Sequence, residues 1–482
     1  MRNCKVFAVM VAGALVTSAL SVGVVEAAST TKQTIKTSGT KVTAAKYKVD
    51  STVVSVNGVN VTMKSILVKQ VSLYALSDIA QAVGASIKSS KGTITLTDAT
   101  STNTIQMDSK SSKYQVNGSS NTFKFAPVMQ DGRTYVELPS IVEALGGEWI
   151  SDAGQENQLL SVKRLTGEFD SLHWDASGHI IAVKQDEEVP QVYKLNKSYH
   201  AELLSTSAEV AGMEVSPNGQ WGIYTDDKDH LVLLTLSNGQ VQTLGEDTSV
   251  KTDLTWSSDN SKVYFIQGDK QDKISYIDVN SAKITQVLED KVENKSEVHL
   301  SADGTKLVYI VNITGVAKND SGSSEDSLTI DYSSAGAQLY SLDLVAKDAK
   351  PKALTTSNDN KLYPSLVSGG NVVYLSADPD NSTASNILKI VTQDGKSQNL
   401  VQNLDVTYVN TSYSGTSIVV GLAQDGRMKV SKVTAEGAIQ ELYSTVSNIT
   451  EASLSPDGSQ LALIADGRLI LVVNEQVLQL TQ

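Results

Sequence analysis

A tight turn recurs at near-regular spacing through the C-terminal part of the chain. It reads Asp175-Ala176-Ser177-Gly178, Ser216-Pro217-Asn218-Gly219, Ser257-Ser258-Asp259-Asn260, Ser301-Ala302-Asp303-Gly304, Val367-Ser368-Gly369-Gly370, Tyr413-Ser414-Gly415-Thr416 and Ser455-Pro456-Asp457-Gly458. Successive copies lie 41 to 46 residues apart, except for a gap of 66 between Gly304 and Gly370. Ser or Asp can hydrogen-bond back into such a loop, Pro presets φ, and Gly or Asn tolerates the left-handed position that joins two strands. A period of this size restricts the chain to arrays, solenoids or propellers.

After each turn comes an apolar run of strand type, as in Ile180-Ile181-Ala182-Val183, Val263-Tyr264-Phe265-Ile266 and Leu461-Ala462-Leu463-Ile464. Third runs such as Gln338-Leu339-Tyr340-Ser341-Leu342 alternate and are expected to face water on one side. Four strands per repeat and no repeated helix select a β-propeller over a solenoid, and seven turns imply seven blades over residues 166–482. Each blade draws its strands from consecutive sequence, so closure is expected without strand exchange between the termini. The long gap holds an insertion at about residues 312–336, rich in Ser, Gly, Asn and Asp, expected as a mobile rim loop. Ser-Pro-Asp-Gly with its apolar successors resembles the TolB-like and WD40-like propeller repeats. That resemblance implies the fold and leaves the activity open.

Residues 51–165 repeat themselves on a smaller scale. Val56-Asn57-Gly58-Val59 returns as Val116-Asn117-Gly118-Ser119, each a hairpin signal. The run from Leu76 to Gly84 returns 62 residues later from Leu138 to Gly146. Both copies read as short helices, with Ser77 as a cap, Pro139 in a first turn, and Gly84 and Gly146 as left-handed stops. A strand follows each, and the unit reads as a small α+β tandem of two hairpin-plus-helix halves around one core. Gly132-Arg133-Thr134-Tyr135-Val136-Glu137-Leu138, followed by Ala144-Leu145-Gly146, resembles the copper amine oxidase N-terminal-like domain. Pro139 and Ser140 stand where that family usually carries an arginine. The resemblance implies a spacer or attachment unit, and no histidine that could bind copper occurs before His173.

Arg2 and Lys5, an apolar stretch over residues 6–25 and Val25-Glu26-Ala27-Ala28 read as a signal peptide, 1–27, with a retained anchor as the alternative. Residues 28–50 carry Lys32, Lys36, Lys41, Lys46 and Lys48 among Ser, Thr and Ala, the composition of a flexible basic linker. The one cysteine, Cys4, lies in the leader, so disulfides, thiol nucleophiles and cysteine-ligated metals drop out of the processed chain. Forty basic against 53 acidic side chains give a net charge of −13, which argues against a nucleic-acid partner. With the leader removed, the chain is expected to work as a soluble monomer with no integral membrane span.

Recognisable catalytic patterns are absent. There is no G-x-S-x-G elbow, no phosphate-cradling glycine loop and no H-E-x-x-H or H-x-H pair among His173, His179, His200, His230 and His299. His173 and His299 lie in first strands and read as packed or hydrogen-bonded. Glu187-Glu188 and Asp226-Asp227 read as solvated loop charge. Asp378-Pro379-Asp380-Asn381, with Asp320, Glu325, Asp326 and Asp331, offers oxygen ligands of the kind calcium takes, yet lacks the glycine and distal glutamate of an EF-hand. The sequence therefore assigns no catalytic, cofactor-binding or metal residue. It points to an exported, non-enzymatic binding or scaffold protein of the cell envelope or medium, with an envelope protein or extracellular glycan as partner. The alternative is a propeller-type polysaccharide lyase or glycosidase with its site in the channel.

Overall fold

The structure, a computed structural model, describes residues 46–151, 158–185, 188–319, 328–331, 335–412 and 415–482. The expected leader and nearly all of the basic linker lie outside the described residues.

The N-terminal module starts from its two Asn-Gly turns. Asn57 and Gly58 have φ of 49° and 77°, the pair of left-handed residues a two-residue hairpin needs, and they join strands Val49–Val56 and Val59–Val68. Asn117 and Gly118 do the same between Lys113–Val116 and Ser119–Thr122. A seven-stranded and a five-stranded sheet result. Helices α1 (Leu76–Ala82) and α2 (Leu138–Ala144) bury Ile79 and Ile141 in one core with Met63, Leu96, Ile105 and Leu159. Burial of one such side chain contributes about 1.5–3 kcal/mol. Both helices stop at the expected glycines, Gly84 and Gly146, and Pro139 sits in the first turn of α2. Ser77 does not cap α1. The helix begins one residue earlier, and the Ser77 hydroxyl donates to Asp78 instead.

Beyond the module, the described residues form seven four-stranded antiparallel sheets, each from its own repeat and from consecutive strands except in the fourth, where an inserted hairpin separates the second and third strands. The first comprises Phe169–Trp174, Ile180–Lys184, Gln191–Leu195 and Ala201–Ser205, and the seventh Ile449–Leu454, Gln460–Ala465, Arg468–Val473 and Gln476–Gln479. First strands of neighbouring sheets pack side by side from the second sheet to the seventh, and that of the first sheet packs on that of the seventh. Second strands are buried on both faces, as their continuous apolar runs predict. The third strands correct the expectation of a water-facing side. In Gly336–Asp343, Gln338 and Ser341 are as buried as Leu339 and Leu342, because neighbouring sheets stack face to face and leave mainly the fourth strands to solvent.

The turns owe their sequence to one hydrogen-bond set. Ser216, Ser257, Ser301 and Ser455 each accept, at 3.0 Å, the amide five residues on, and each donates to the Asn or Asp two residues on. In three copies that aspartate also accepts the next-but-one amide. These bonds hold Asp303 and Asp457 down to about 2. The insertion is more ordered than a loop. Strands Val316–Asn319 and Leu328–Asp331 pair into a hairpin whose tip lies outside the described residues.

Three lysines six residues ahead of their turns replace the apolar side chains that other repeats carry there. Lys251, Lys295 and Lys361 are buried, and each ammonium donates to backbone carbonyls of the segment that leads into its sheet. Each also pairs with one aspartate: Asp247 at 2.7 Å, Asp290 at 2.7 Å and Asp359 at 3.1 Å.

Candidate functional site

The wall formed by the first strands gathers the chain's unusual polar groups. Four residues ahead of the turn stand Asp253, Glu297, Tyr363 and Glu451, and five ahead of the turn that begins at Tyr413 stands Tyr408, one from each of the third to seventh sheets. Two residues ahead stand His173, Glu214 and His299, from the first, second and fourth sheets. The intervening residues, such as Leu172, Val298 and Val409, are buried between sheets.

A bulge in each of these first strands explains the upper set. The register shifts between Thr252 and Thr255, Ser296 and His299, and Leu362 and Ser365, and Asp253, Glu297 and Tyr363 take φ of 54°, 50° and 52°. A bulge leaves one residue out of the ladder. The preceding sheet's carboxylate takes up the freed amide. Glu297 N donates to Asp253 Oδ1 at 3.0 Å, Tyr363 N to Glu297 Oε2 at 2.8 Å, and Leu172 N to Glu451 Oε2 at 3.0 Å. The Tyr408 hydroxyl donates to Glu451 Oε1 at 3.4 Å, and its ring lies 6.0 Å from that of Tyr363.

Poor solvation shifts these groups. Glu297 is pushed up to about 7 by burial and by Asp253, against the opposing Tyr363 amide. Glu451 also reaches about 7 through burial, with Asp170 and Glu214 adding repulsion against the Leu172 and Tyr408 bonds. Glu214 rises to about 7 through desolvation and the charge of Asp253. Its side chain is reached by water but surrounded by protein, so its charge is weakly hydrated. No hydrogen-bond or ion-pair partner of its carboxylate exists among the described residues, and it opens onto a hollow of about 540 Å³ with Tyr224 and Asp253. Burial lowers His299 to about 4 and lowers His173, so both imidazoles are neutral at pH 7.

Glutamates raised in this way tie stability to pH. Between the ordinary carboxylate value and about 7 the folded chain holds protons that the unfolded chain has released, so their contribution is complete at low pH and lost as pH rises through 7. Glu451→Gln, which keeps an acceptor for Leu172 N, should stabilise the chain by about 1 kcal/mol at pH 8 and by nothing measurable at pH 4. Urea unfolding of variant and parent at both pH values reads this directly, and an equal effect at the two would refute it.

The candidates noted in the sequence are dispersed. His179 Nδ1 meets Asp175 at 2.8 Å and His230 Nδ1 meets Asp226 at 3.0 Å, both inside hairpin turns. Asp378 and Asn381 accept amides of their own loop, and among the described residues no group of three or more acidic, histidine or cysteine side chains could hold a metal. Asp320, Glu325, Asp326 and Glu187 lie outside the described residues. The bulge carboxylates escaped sequence reading because a bulge breaks the alternation that marks a facing residue. Their signal was the recurrence of Asp or Glu at one fixed offset from the turn.

By fold and site, this is a mainly β protein of successive small antiparallel sheets, of the kind seen in propeller proteins, joined to an α+β module. Residues 55–159 match the family model described as "Copper amine oxidase N-terminal domain". No curated protein matches the chain. Similar solved structures include an oligogalacturonate lyase in complex with manganese, 13% identical, covering 66% of this chain and 86% of that one, with a TM-score of 0.46. Another is an oligogalacturonate lyase from Vibrio parahaemolyticus, 12% identical, covering 66% and 86%, with a TM-score of 0.45. A putative TolB from Agrobacterium tumefaciens is 16% identical, covering 51% and 84%, with a TM-score of 0.35. Among the described residues no helix is long and apolar enough to cross a membrane.

Proposed function

We propose that this chain is an exported, non-catalytic binding protein of the cell envelope or medium. Residues 166–482 form a closed seven-bladed propeller that serves as the interaction platform, and residues 51–165 form the module that carries it. Residues 1–27 are the leader and 28–50 a basic linker, and the protein acts as a monomer on an envelope protein or an extracellular glycan.

One observation carries this reading. Asp253, Glu297 and Glu451, three of the four carboxylates on the first-strand wall, already accept backbone amides of the next sheet, and only Glu214 is left without such a bond among the described residues. A general acid or base has to exchange its proton with substrate, and the bonded groups are fixed to the scaffold. The test is incubation of the purified chain with soluble envelope polysaccharides and peptides. Retention of a ligand at unchanged length is the expected result, and shortened products would overturn it.

A second reading, a polysaccharide lyase or glycosidase, draws on the same wall, where raised glutamates stand beside Tyr363 and Tyr408. It requires turnover that Glu297→Gln and Glu451→Gln abolish.

A further inference from the structure

Sheets built each from its own repeat share no strand across the join between first and last. That join is closed by other means. The Trp174 indole donates to the Ser453 carbonyl at 3.1 Å, the lock that Trp256 makes to the Glu214 carbonyl at 3.0 Å between the second and third sheets. Phe169 N donates to Gly467 O at 2.7 Å, and Leu165 pairs with Thr481 in a single parallel bridge.

The module lies over the same two sheets. Ile150 and Leu160, from its strands Glu148–Ile150 and Gln158–Leu160, share one apolar cluster with Phe169 of the first sheet and Leu471 and Leu478 of the seventh. Gln158 Nε2 donates to the Val477 carbonyl at 2.8 Å. Gln476 of the seventh sheet accepts from Ser55 and donates to Asn60 Oδ1 at 2.7 Å. Gly58 fits tightly: a Cβ there would stand 2.4 Å from Leu478 Cδ1 and 2.6 Å from Val473 Cγ1. Its left-handed turn thus also provides close approach to the last sheet. Apolar packing, side-chain hydrogen bonds and a glycine contact all join the module to the sheets on both sides of one seam.

We propose that the N-terminal module is an intramolecular clasp. Its binding partner is the seam between the first and seventh sheets, and it does there what a shared strand does in a propeller closed by strand exchange. This role rests on the ring reading above and goes beyond the carrier role given to the module there.

Hydrogen exchange on the full chain tests it with Gln158→Ala/Gln476→Ala, which removes three polar contacts and no apolar packing, and with Leu160→Ala, which opens the shared cluster. In the parent, the amides of Phe169 and Leu172 should be protected. If they exchange like an open edge, the ring reading itself fails. In both variants these amides and those of Ile449–Leu454 should exchange about tenfold faster, with Lys251–Trp256 and Lys295–Leu300 within about twofold of the parent. Protected seam amides that do not change, or one uniform factor over all sheets, would overturn the clasp. Should Leu160→Ala unfold outright, the polar pair alone decides, because its side chains leave the core intact.

Discussion

Replacing Lys295 with methionine is expected to lower stability by about 3 kcal/mol, while the same change at Lys270 should leave it unchanged within the error of the measurement. Both ammoniums lie 2.7 Å from a carboxylate, Asp290 in one case and Glu293 in the other. Their surroundings separate them. The Lys295 side chain is fully buried and also donates to the carbonyls of Asp272, at 2.9 Å, and Val292. Methionine fills similar space but leaves these acceptors and the Asp290 carboxylate without their donor, and a buried acceptor stripped of its partner carries its full desolvation cost. Lys270 keeps 70% of its side chain exposed, so water replaces what the substitution removes. Urea denaturation of the two variants against the parent measures the contrast. A loss below about 1 kcal/mol at Lys295 would mean that the loop carbonyls turn to solvent and the buried lysine does not organise the segment.

Gly219→Ala is the second large effect, at about 3 kcal/mol or more, against about 1 kcal/mol for Gly458→Ala. The glycines occupy the same place in the repeated turn, with φ of 61° and 71°, so the backbone strain of adding a Cβ is shared. The difference comes from the neighbouring sheet. A Cβ on Gly219 would stand 2.0 Å from Ala176 N and 2.7 Å from Asp175 Cα, backbone atoms of the first sheet's turn, whereas Gly458 has nothing within 4 Å. Asp175 is held by amides of Ser177 and His179 and cannot withdraw without breaking its own turn. Thermal unfolding of both variants checks the ranking, and equal losses would show that the turns yield.

These glycines also mark how far the sequence could be read. Their recurrence predicts the turns, and the continuous apolar runs predict the buried second strands, because both depend on local geometry. What lies between sheets was hidden. Gly219 and Gly458 look alike in sequence, and only the packed neighbour distinguishes them. Lys251, Lys295 and Lys361 carry no mark in the sequence, since a lysine gives no local sign that backbone carbonyls wait for it. Gln338 and Ser341 read as a wet face because polar residues usually mark one. Burial here is decided by the stacking of the next repeat. The convergence of Glu297, Tyr363, Tyr408 and Glu451 was illegible for a further reason. They come from four separate repeats, and bulges shift each of them out of the simple alternation.

Sheets completed within their own repeats have a consequence for heredity. A duplication or deletion of one whole repeat leaves every remaining hydrogen-bond ladder intact, so the gene can change the number of units without rewriting any of them. In the ring proposed above, the burden of such an event falls on one junction, where the ends meet again around a new circumference. Lineages carrying altered copy numbers should therefore show their compensating substitutions there, at Leu165, Trp174, Gln476 and Thr481, and few elsewhere.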